Sequence, residues 1–455
     1  MRSTLRILLA IVILLVALGC GLLPTPGAST VTPFVPGSTS APTEPVVPTG
    51  EPPTGVPSTQ PPTSAPTTTP VQTGLCASNL GDFAVAGLAD IYDDVHVLQL
   101  AVPPGWERLW AAYSVGMRPF DPLRSHFLAI YACGVSGDWI ERARVNLDDV
   151  NPPDMDPATP DFIAEGSVTQ VQIDPSRIWL TVDGGVGAHG GTFQLLSFDA
   201  GMALHGHVSG VGASPGVGSV SDVNGDGVND VVLDQSDAYV FCYACGVRKV
   251  HFRVFYWDAP GYRILEARID YFYMGQPQPM RDVVNPAVDM ANAGLWKDAL
   301  VKIAEARALA PSYPECNVHT LDWDYALIKL HADAMAADSV SGTYPLLSRV
   351  FYGDYAAAVD LMRPYAPGQI FDNVSSPLIV GTPAEGWQDA LAGYLVESAD
   401  AALGVKPDLA EAYFLRGWGR YLLNPASPQA RADVHQAAAL RPGDAFFAGC
   451  AAYLP

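Results

Sequence analysis

Basic residues are scarce in this chain. Its 455 residues include 25 Lys and Arg against 47 Asp and Glu, so the formal net charge is −22. A surface that binds nucleic acid needs clustered Lys and Arg, so the composition excludes that class of partner. The same shortage excludes docking on anionic lipid through a basic face. At about 150 residues per domain, the length suggests two or three domains with ample core.

Long apolar runs are also missing. The run over residues 7–18 is shorter than the roughly 20 residues of a transmembrane helix, follows two arginines and ends in ALGC at 17–20. This segment resembles the lipobox of bacterial lipoproteins. The resemblance implies a signal peptide over 1–20, a lipid on Cys20, and an extracytoplasmic, surface-exposed protein held on the cell membrane by that lipid only. An ordinary signal peptide or an uncleaved anchor is the alternative.

Residues 21–74 are mostly Pro and Thr, and their only charged residues are Glu44 and Glu51. Such a segment cannot bury enough apolar surface to offset the entropy of ordering, so we predict a disordered, extended linker. At roughly 3 Å per residue it would reach well beyond 100 Å, which is the property of a stalk.

Residues 75–280 are predicted to form an all-β domain. β-branched and aromatic residues alternate here between Gly, Asp and Pro turns. Three segments each place a strand ahead of a hairpin that begins with Phe127, Phe193 or Phe252. Units of this size suit four-stranded propeller blades, but three blades are too few for an ordinary closed propeller. Propeller-like blades and a sandwich of similar hairpins both remain open.

The segment SDVNGDGVNDVVL at 221–233 carries the sharpest motif. Alternating oxygen ligands suit a hard cation, with the predicted metal ligands Asp222, Asn224, Asp226, the carbonyl of Val228, and Asp230. An EF-hand would need Glu where Leu233 stands, and helices on both sides. The pattern instead resembles the integrin-type FG-GAP/VCBS repeat, which implies a structural Ca²⁺ loop joining two strands. A polar turn that folds without metal is the alternative.

Six cysteines remain besides Cys20, and an even number outside the cytoplasm favours disulfides. The possible partners are Cys76, Cys133, Cys242, Cys245, Cys316 and Cys450. The tetrapeptide YACG recurs at 131–134 and 243–246, which makes Cys133 a candidate partner of Cys242 or Cys245. Cys316 and Cys450 form a second candidate pair.

Two short motifs match the spacing of cofactor-binding and catalytic signatures but lack the helix that those signatures require. The GxGxxG spacing at 185–190 precedes a predicted strand instead of a helix, and the GxSxG spacing at 212–216 runs into Pro and Gly. His205 and His207 have no third partner at ligand spacing. We therefore assign no catalytic residue and predict no enzyme. The alternative is an extracytoplasmic hydrolase that acts on glycan or peptide through loop carboxylates of the β domain.

Residues 281–455 are rich in Ala and Leu at helical spacing and are predicted to be all-α. Small and aromatic residues recur at similar offsets in two segments: Gly294, Trp296, Ala299, Ile303, Ala306 and Pro311, then Gly353, Tyr355, Ala358, Met362 and Tyr365. This spacing resembles tetratricopeptide repeats, as does a last unit over 407–445. The resemblance implies a helical array whose concave surface binds an envelope or extracellular protein or peptide. An array that only braces the β domain is the alternative.

Together these observations predict a multidomain, cell-surface lipoprotein. An all-β domain with a calcium loop precedes a tetratricopeptide-like helical domain, and the chain acts as a non-catalytic binding or scaffold protein.

Overall fold

The computed structural model describes residue 76 and residues 80–86, 94–117, 125–258 and 263–454. The predicted signal peptide, Cys20 and the Pro/Thr-rich linker lie outside these residues. Gln72–Pro455 forms one compact unit, in which an antiparallel β region precedes a helical region, as the sequence predicts. Among the described helices, none is both long enough and apolar enough to cross a membrane.

The β region consists of successive four-stranded antiparallel meanders. The first contains β1 (Asp94–Gln99), β2 (Leu109–Met117), β3 (Phe127–Cys133) and β4 (Trp139–Asn146). After β5 (Phe162–Ile163), the second contains β6 (Val168–Val171), β7 (Ile178–Val186), β8 (Gly190–Phe198) and β9 (Leu204–Gly212). The third contains β10 (Gly218–Ser221), β11 (Asp230–Asp234), β12 (Phe252–Trp257) and β13 (Ile264–Glu266). Strand β5 pairs with β2 and β7, so the first two meanders share a nine-stranded sheet.

Each meander packs on the next through its apolar side chains. One cluster joins the first and second meanders, with Tyr113 and Ile130 on one side and Leu180 and Phe198 on the other. Another joins the second and third, where Trp179 and Phe193 meet residues such as Leu233 and Trp257. Alternating side chains of a strand point to opposite faces, so each inner meander surface contributes to a core.

The helical region contains helices of very different lengths. A short helix α1 (Leu80–Ala86) precedes the β region, and the others follow it. They are α2 (Gln278–Asn292), α3 (Trp296–Leu309), α4 (Val318–Ser341), α5 (Pro345–Tyr352), α6 (Tyr355–Asp360), α7 (Pro367–Ile370), α8 (Gln388–Val405), α9 (Ala410–Leu423), α10 (Pro428–Leu440) and α11 (Ala445–Tyr453). Side chains of Asn317, Ser427 and Asp444 cap α4, α10 and α11.

One predicted helix is shorter than its pattern suggests. The small and aromatic residues that recur at helical spacing after Gly353 extend to Tyr365. Helix α6, however, ends at Asp360, and turns follow. Pro364 lacks a backbone N–H and disfavours helical backbone in the residue before it, so the apolar spacing continues after the helix stops.

The two outer faces of the meander stack are covered by helices. Leu80 and Ala84 of α1 pack on the outer face of the first meander, against residues such as Phe127 and Tyr131. On the far side, Trp323, Ala326 and Leu327 of α4 pack on Val232 and Val254 of the third. A stack of three units leaves two apolar faces, and these helices remove both from water.

The disulfides differ from the pairings suggested by the repeated tetrapeptide. Cys76 pairs with Cys133, and Cys242 pairs with Cys245. Helix α1 packs on the first meander, which brings the nearby Cys76 to the end of β3. The short turn Tyr243–Cys245 brings Cys245 back to Cys242, the residue that precedes the turn. Cys316 and Cys450 are buried thiols in separate cores, so they do not pair.

Candidate functional site

The predicted calcium loop is the turn between β10 and β11. Ser221 pairs with Asp230 at its base, and residues 222–229 form the connection. Gly225 and Gly227 have φ values of 82° and 89°, a backbone region that side chains disfavour. The sequence therefore places glycine at the two positions where this tight loop requires it.

Hydrogen bonds within the loop hold its carboxylates. Asp222 accepts backbone N–H donors from Gly225 (2.7 Å), Asp226 (3.1 Å) and Gly227 (2.9 Å). Asp230 accepts the N–H of Val223 at 2.9 Å. Three carboxylates thus lie on one hairpin turn, beside the amide of Asn224, which donates to Asp226 at 3.0 Å.

The electrostatics of the loop favour a cation. Asp230 is only 1% exposed, and burial, with the charges of Asp226 and Asp222, raises its pKa to about 7. The donor set is all oxygen, which suits a hard cation such as Ca²⁺. Among the described residues, however, no three His, Cys, Asp or Glu side chains are arranged so that they could hold a metal ion as they stand.

Two Ser–His pairs lie inside the β region. Ser114 Oγ lies 2.9 Å from His126 Nδ1, and Ser197 Oγ lies 2.8 Å from His207 Nε2. Both serines are fully buried, so these contacts satisfy polar groups in the core and present no exposed nucleophile. His205 has a different partner, Asp199, at 3.3 Å.

His207 is packed against two indoles that also contact each other. Its ring centroid lies 4.6 Å from that of Trp179 and 5.3 Å from that of Trp257. Burial lowers its pKa to about 4, so the imidazole is neutral at physiological pH. Residues 185–190 span the end of β7, the tight turn and the first residue of β8, and residues 212–216 run from the last residue of β9 toward β10, so neither segment opens a helix.

A cleft that the sequence did not predict lies between the third meander and the helical region. It consists of a first cavity of about 320 Å³ and a second of about 380 Å³. Both are lined by His251, Ala291, Asn292 and Trp296, so the two cavities adjoin. Junctions of this kind, with a few polar groups and aromatic walls, are common places for ligands.

Buried aromatic contacts fix the floor of the cleft. The Trp296 indole stacks on His331, with 4.7 Å between centroids and 10° between planes. The N–H of Phe252 donates to Nε2 of His331 at 3.1 Å, so Nδ1 carries the proton that the Leu327 carbonyl accepts at 2.9 Å. His331 thereby ties α4 to β12, and burial lowers its pKa.

The first cavity has an acidic rim. Lys249 Nζ lies 3.6 Å from Glu397 and within 5.8 Å of the ring centroids of Phe351 and Tyr394. The Tyr394 hydroxyl donates to Asp237 at 3.3 Å. Two carboxylates, those of Asp237 and Glu397, and one ammonium group, that of Lys249, therefore line this cavity.

The second cavity has a basic rim. Arg253 donates to Glu266 at 2.7 Å, and Arg268 lies 3.8 Å from the same carboxylate. Two guanidinium groups therefore share one carboxylate.

The cleft residues come from distant parts of the chain, so no motif marks them. The only local signal is the alternation of Lys249, His251 and Arg253, which is typical of one strand face.

Comparisons of the chain with protein-family models, with curated proteins and with solved structures found no match.

Proposed function

We propose that this protein is a bacterial surface lipoprotein that binds an envelope or extracellular protein or peptide without chemical conversion. The cleft between the third meander and the helices supports this proposal most directly, because it is lined by polar groups of both signs on aromatic walls. A lipid on Cys20 and the Pro/Thr-rich linker would carry this binding head away from the membrane.

We also propose which repeat families the two regions resemble. The meanders are propeller-like blades of FG-GAP/VCBS type that stack without closing, and the helices derive from tetratricopeptide repeats. The four-stranded antiparallel order of each meander supports the first assignment. Close helix packing supports the second, since a Cβ on Gly417 would lie 2.9 Å from the Ala430 carbonyl oxygen.

One observation supports the alternative role of the helices, in which they brace the β region. Helix α4 covers the outer face of the third meander through Trp323 and Leu327. Bracing and binding are compatible, because the same packing forms one wall of the cleft.

Ca²⁺ in the β10–β11 loop would be structural. Asp222, Asn224, Asp226, the Val228 carbonyl and Asp230 would hold it, and the ion would supply the positive charge that the loop lacks. The loop leads directly into β11, which packs in the core between the second and third meanders.

The calcium proposal is tested by thermal unfolding of the full chain in Ca²⁺ and in EGTA. Ca²⁺ should raise Tm by at least about 2 °C, because it binds only the folded loop. Asp226→Ala should abolish that rise, while Asp154→Ala, at an exposed residue in another loop, should keep it. A wild-type Tm that does not respond to Ca²⁺ would contradict the proposal.

The binding proposal is tested by photo-crosslinking in cells. A benzoylphenylalanine in place of Asn292, which lines both cavities, should capture an envelope component. The matched position is Val301, 61% exposed on α3 and absent from the lining of both cavities, which should capture none. Equal capture at the two positions would refute binding in the cleft and leave the bracing role.

A further inference from the structure

We infer that the cleft binds a zwitterionic peptide of two or three residues, with its free ammonium group in the first cavity and its free carboxylate in the second. This inference rests on the proposed binding function and specifies the ligand. The observations that carry it are the opposite charges of the two cavities, the distance between them and the aromatic surface they share.

The first cavity suits the ammonium group. Asp237 and Glu397 against Lys249 leave one net negative charge on its rim. Ala293 and Gly294 line the same cavity at the C-terminal end of α2, a helix of 15 residues. The last carbonyl groups of α2 accept the N–H groups of residues 293–295, and α3 begins at Trp296, so the carboxylates supply the negative charge of this rim.

Lys249 shows that this rim already holds an ammonium group. Its Nζ lies beside Glu397 at 3.6 Å and over the rings of Phe351 and Tyr394, at 5.7 and 5.8 Å from their centroids. Aromatic faces and a carboxylate together are a common environment for organic ammonium ions. The second rim carboxylate, Asp237, accepts the Tyr394 hydroxyl at 3.3 Å and the backbone N–H of Tyr239 at 2.8 Å, and it forms no ion pair with the described residues.

The second cavity suits the carboxylate group. Arg253 and Arg268 share the single carboxylate of Glu266, so one positive charge is left over. Arg268 is the less engaged of the two, with 75% of its side chain exposed and a separation of 3.8 Å from Glu266. A guanidinium group is the side chain best suited to a planar carboxylate.

The spacing between the two rims sets the length of the ligand. Residues 249–253 lead in extended conformation into β12, and at about 3.3 Å per residue they separate the ends by roughly 13 Å. A peptide of two or three residues spans about 7 to 10 Å, which leaves room for the charged side chains to reach each end. Each cavity, at about 320 and 380 Å³, is large enough for part of such a ligand.

The shared wall suits apolar side chains. Trp296 lines both cavities and is held against His331, and Ala291 lies beside it. Asn292, which also lines both cavities, can offer an amide to the backbone of the ligand.

Isothermal titration calorimetry of the purified full chain tests the inference. The probe is leucyl-leucine, and the controls are its N-acetylated form, without the ammonium group, and its C-terminal amide, without the carboxylate. We expect leucyl-leucine to bind and each blocked form to bind about tenfold more weakly, because a charged group loses its partners.

Two variants assign the ends. In Glu397→Gln, N-acetylation of the dipeptide should weaken binding much less than tenfold, while amidation should still weaken it about tenfold. In Arg268→Gln, amidation should weaken binding much less than tenfold, while N-acetylation should still weaken it about tenfold. Glu305→Gln, at an exposed helix carboxylate outside the cleft, should behave like the wild type.

Equal binding of the free and blocked dipeptides, or no binding of any of them, would overturn the inference. If crosslinking at position 292 still captures an envelope component, the proposed function survives with a ligand of another class. If crosslinking also fails, the proposed function fails with it.

Discussion

Replacing Asp324 with Asn should stabilise the folded protein at alkaline pH. Asp324 lies on α4 and is fully buried beneath the segment that follows β13. Its Oδ1 accepts the N–H of Asp270 at 2.8 Å, whereas its Oδ2 is buried and has no hydrogen-bond partner among the described residues. An amide in its place keeps the acceptor and removes the buried charge.

The size of the effect follows from the pKa of Asp324. Burial, reinforced by the nearby charge of Asp270, raises that pKa from 3.8 to about 7. A shift of roughly three units corresponds to about 4 kcal/mol, which is an upper limit because the structure can relax around the charge. The folded state keeps a proton that the unfolded state has lost between pH ~4 and ~7, so the stability contributed by protonated Asp324 is lost as pH rises through that window.

Asn carries no charge at any pH, so Asp324→Asn should avoid this loss. We expect the variant to exceed the wild type by about 1–4 kcal/mol at pH 8 and to match it within about 1 kcal/mol near pH 4. Urea unfolding of the full chain at both pH values measures the difference. Asp333→Asn is the control, since Asp333 lies on the same helix with a side chain 58% exposed.

A wild-type and an Asp324→Asn protein with the same change in stability between pH 4 and pH 8 would refute the reasoning. That outcome would mean that the carboxylate is solvated or paired in solution. A loss of stability at both pH values would instead show that the site needs the carboxylate itself.

Two further predictions concern the β region and the helices. Because burial lowers the pKa of His207 from 6.5 to about 4, its contribution to stability should be lost as pH falls through that range, and His207→Gln should flatten the acid limb measured by urea unfolding. Gly417→Ala should lower the free energy of unfolding by about 1–3 kcal/mol, because the new Cβ would meet a carbonyl oxygen at 2.9 Å. Gly393→Ala, at an open position of α8, should instead raise it by about 0.5–1 kcal/mol. Equal effects of the two glycine substitutions would contradict the packing argument.

Much of the β region could be predicted from the sequence because its signals are local. Phe127, Phe193 and Phe252 all fall in the third strand of a meander. Alternation of side chains and Gly-containing turns operate over a few residues, so they are readable one segment at a time. The loop at 222–229 is predictable for the same reason, since its spacing alone dictates a turn between two strands.

The cleft and the disulfides could not be predicted because they depend on distant packing. Cys133 meets Cys76 only because α1 covers the first meander. Trp296 fits a helix-repeat pattern, which accounts for its place on α3 but not for its stacking on His331 of α4. Contacts between side chains that are far apart in the sequence depend on how the layers of the fold stack. The periodicity of a single sequence carries no information on that stacking.

The covering of the third meander and the formation of the cleft have one structural cause. Three stacked meanders leave an apolar face on the third, and α4 covers it with Trp323 and Leu327. His331, one turn further along α4, then bonds to the backbone of β12 and receives the indole of Trp296. The charged residues of β12 and of the segment before it are thereby placed opposite the end of α2. Because the contacts that protect the β region also build the cleft, a helical fragment without the meanders would lose the cleft, and with it the proposed binding site, as well as its packing partner.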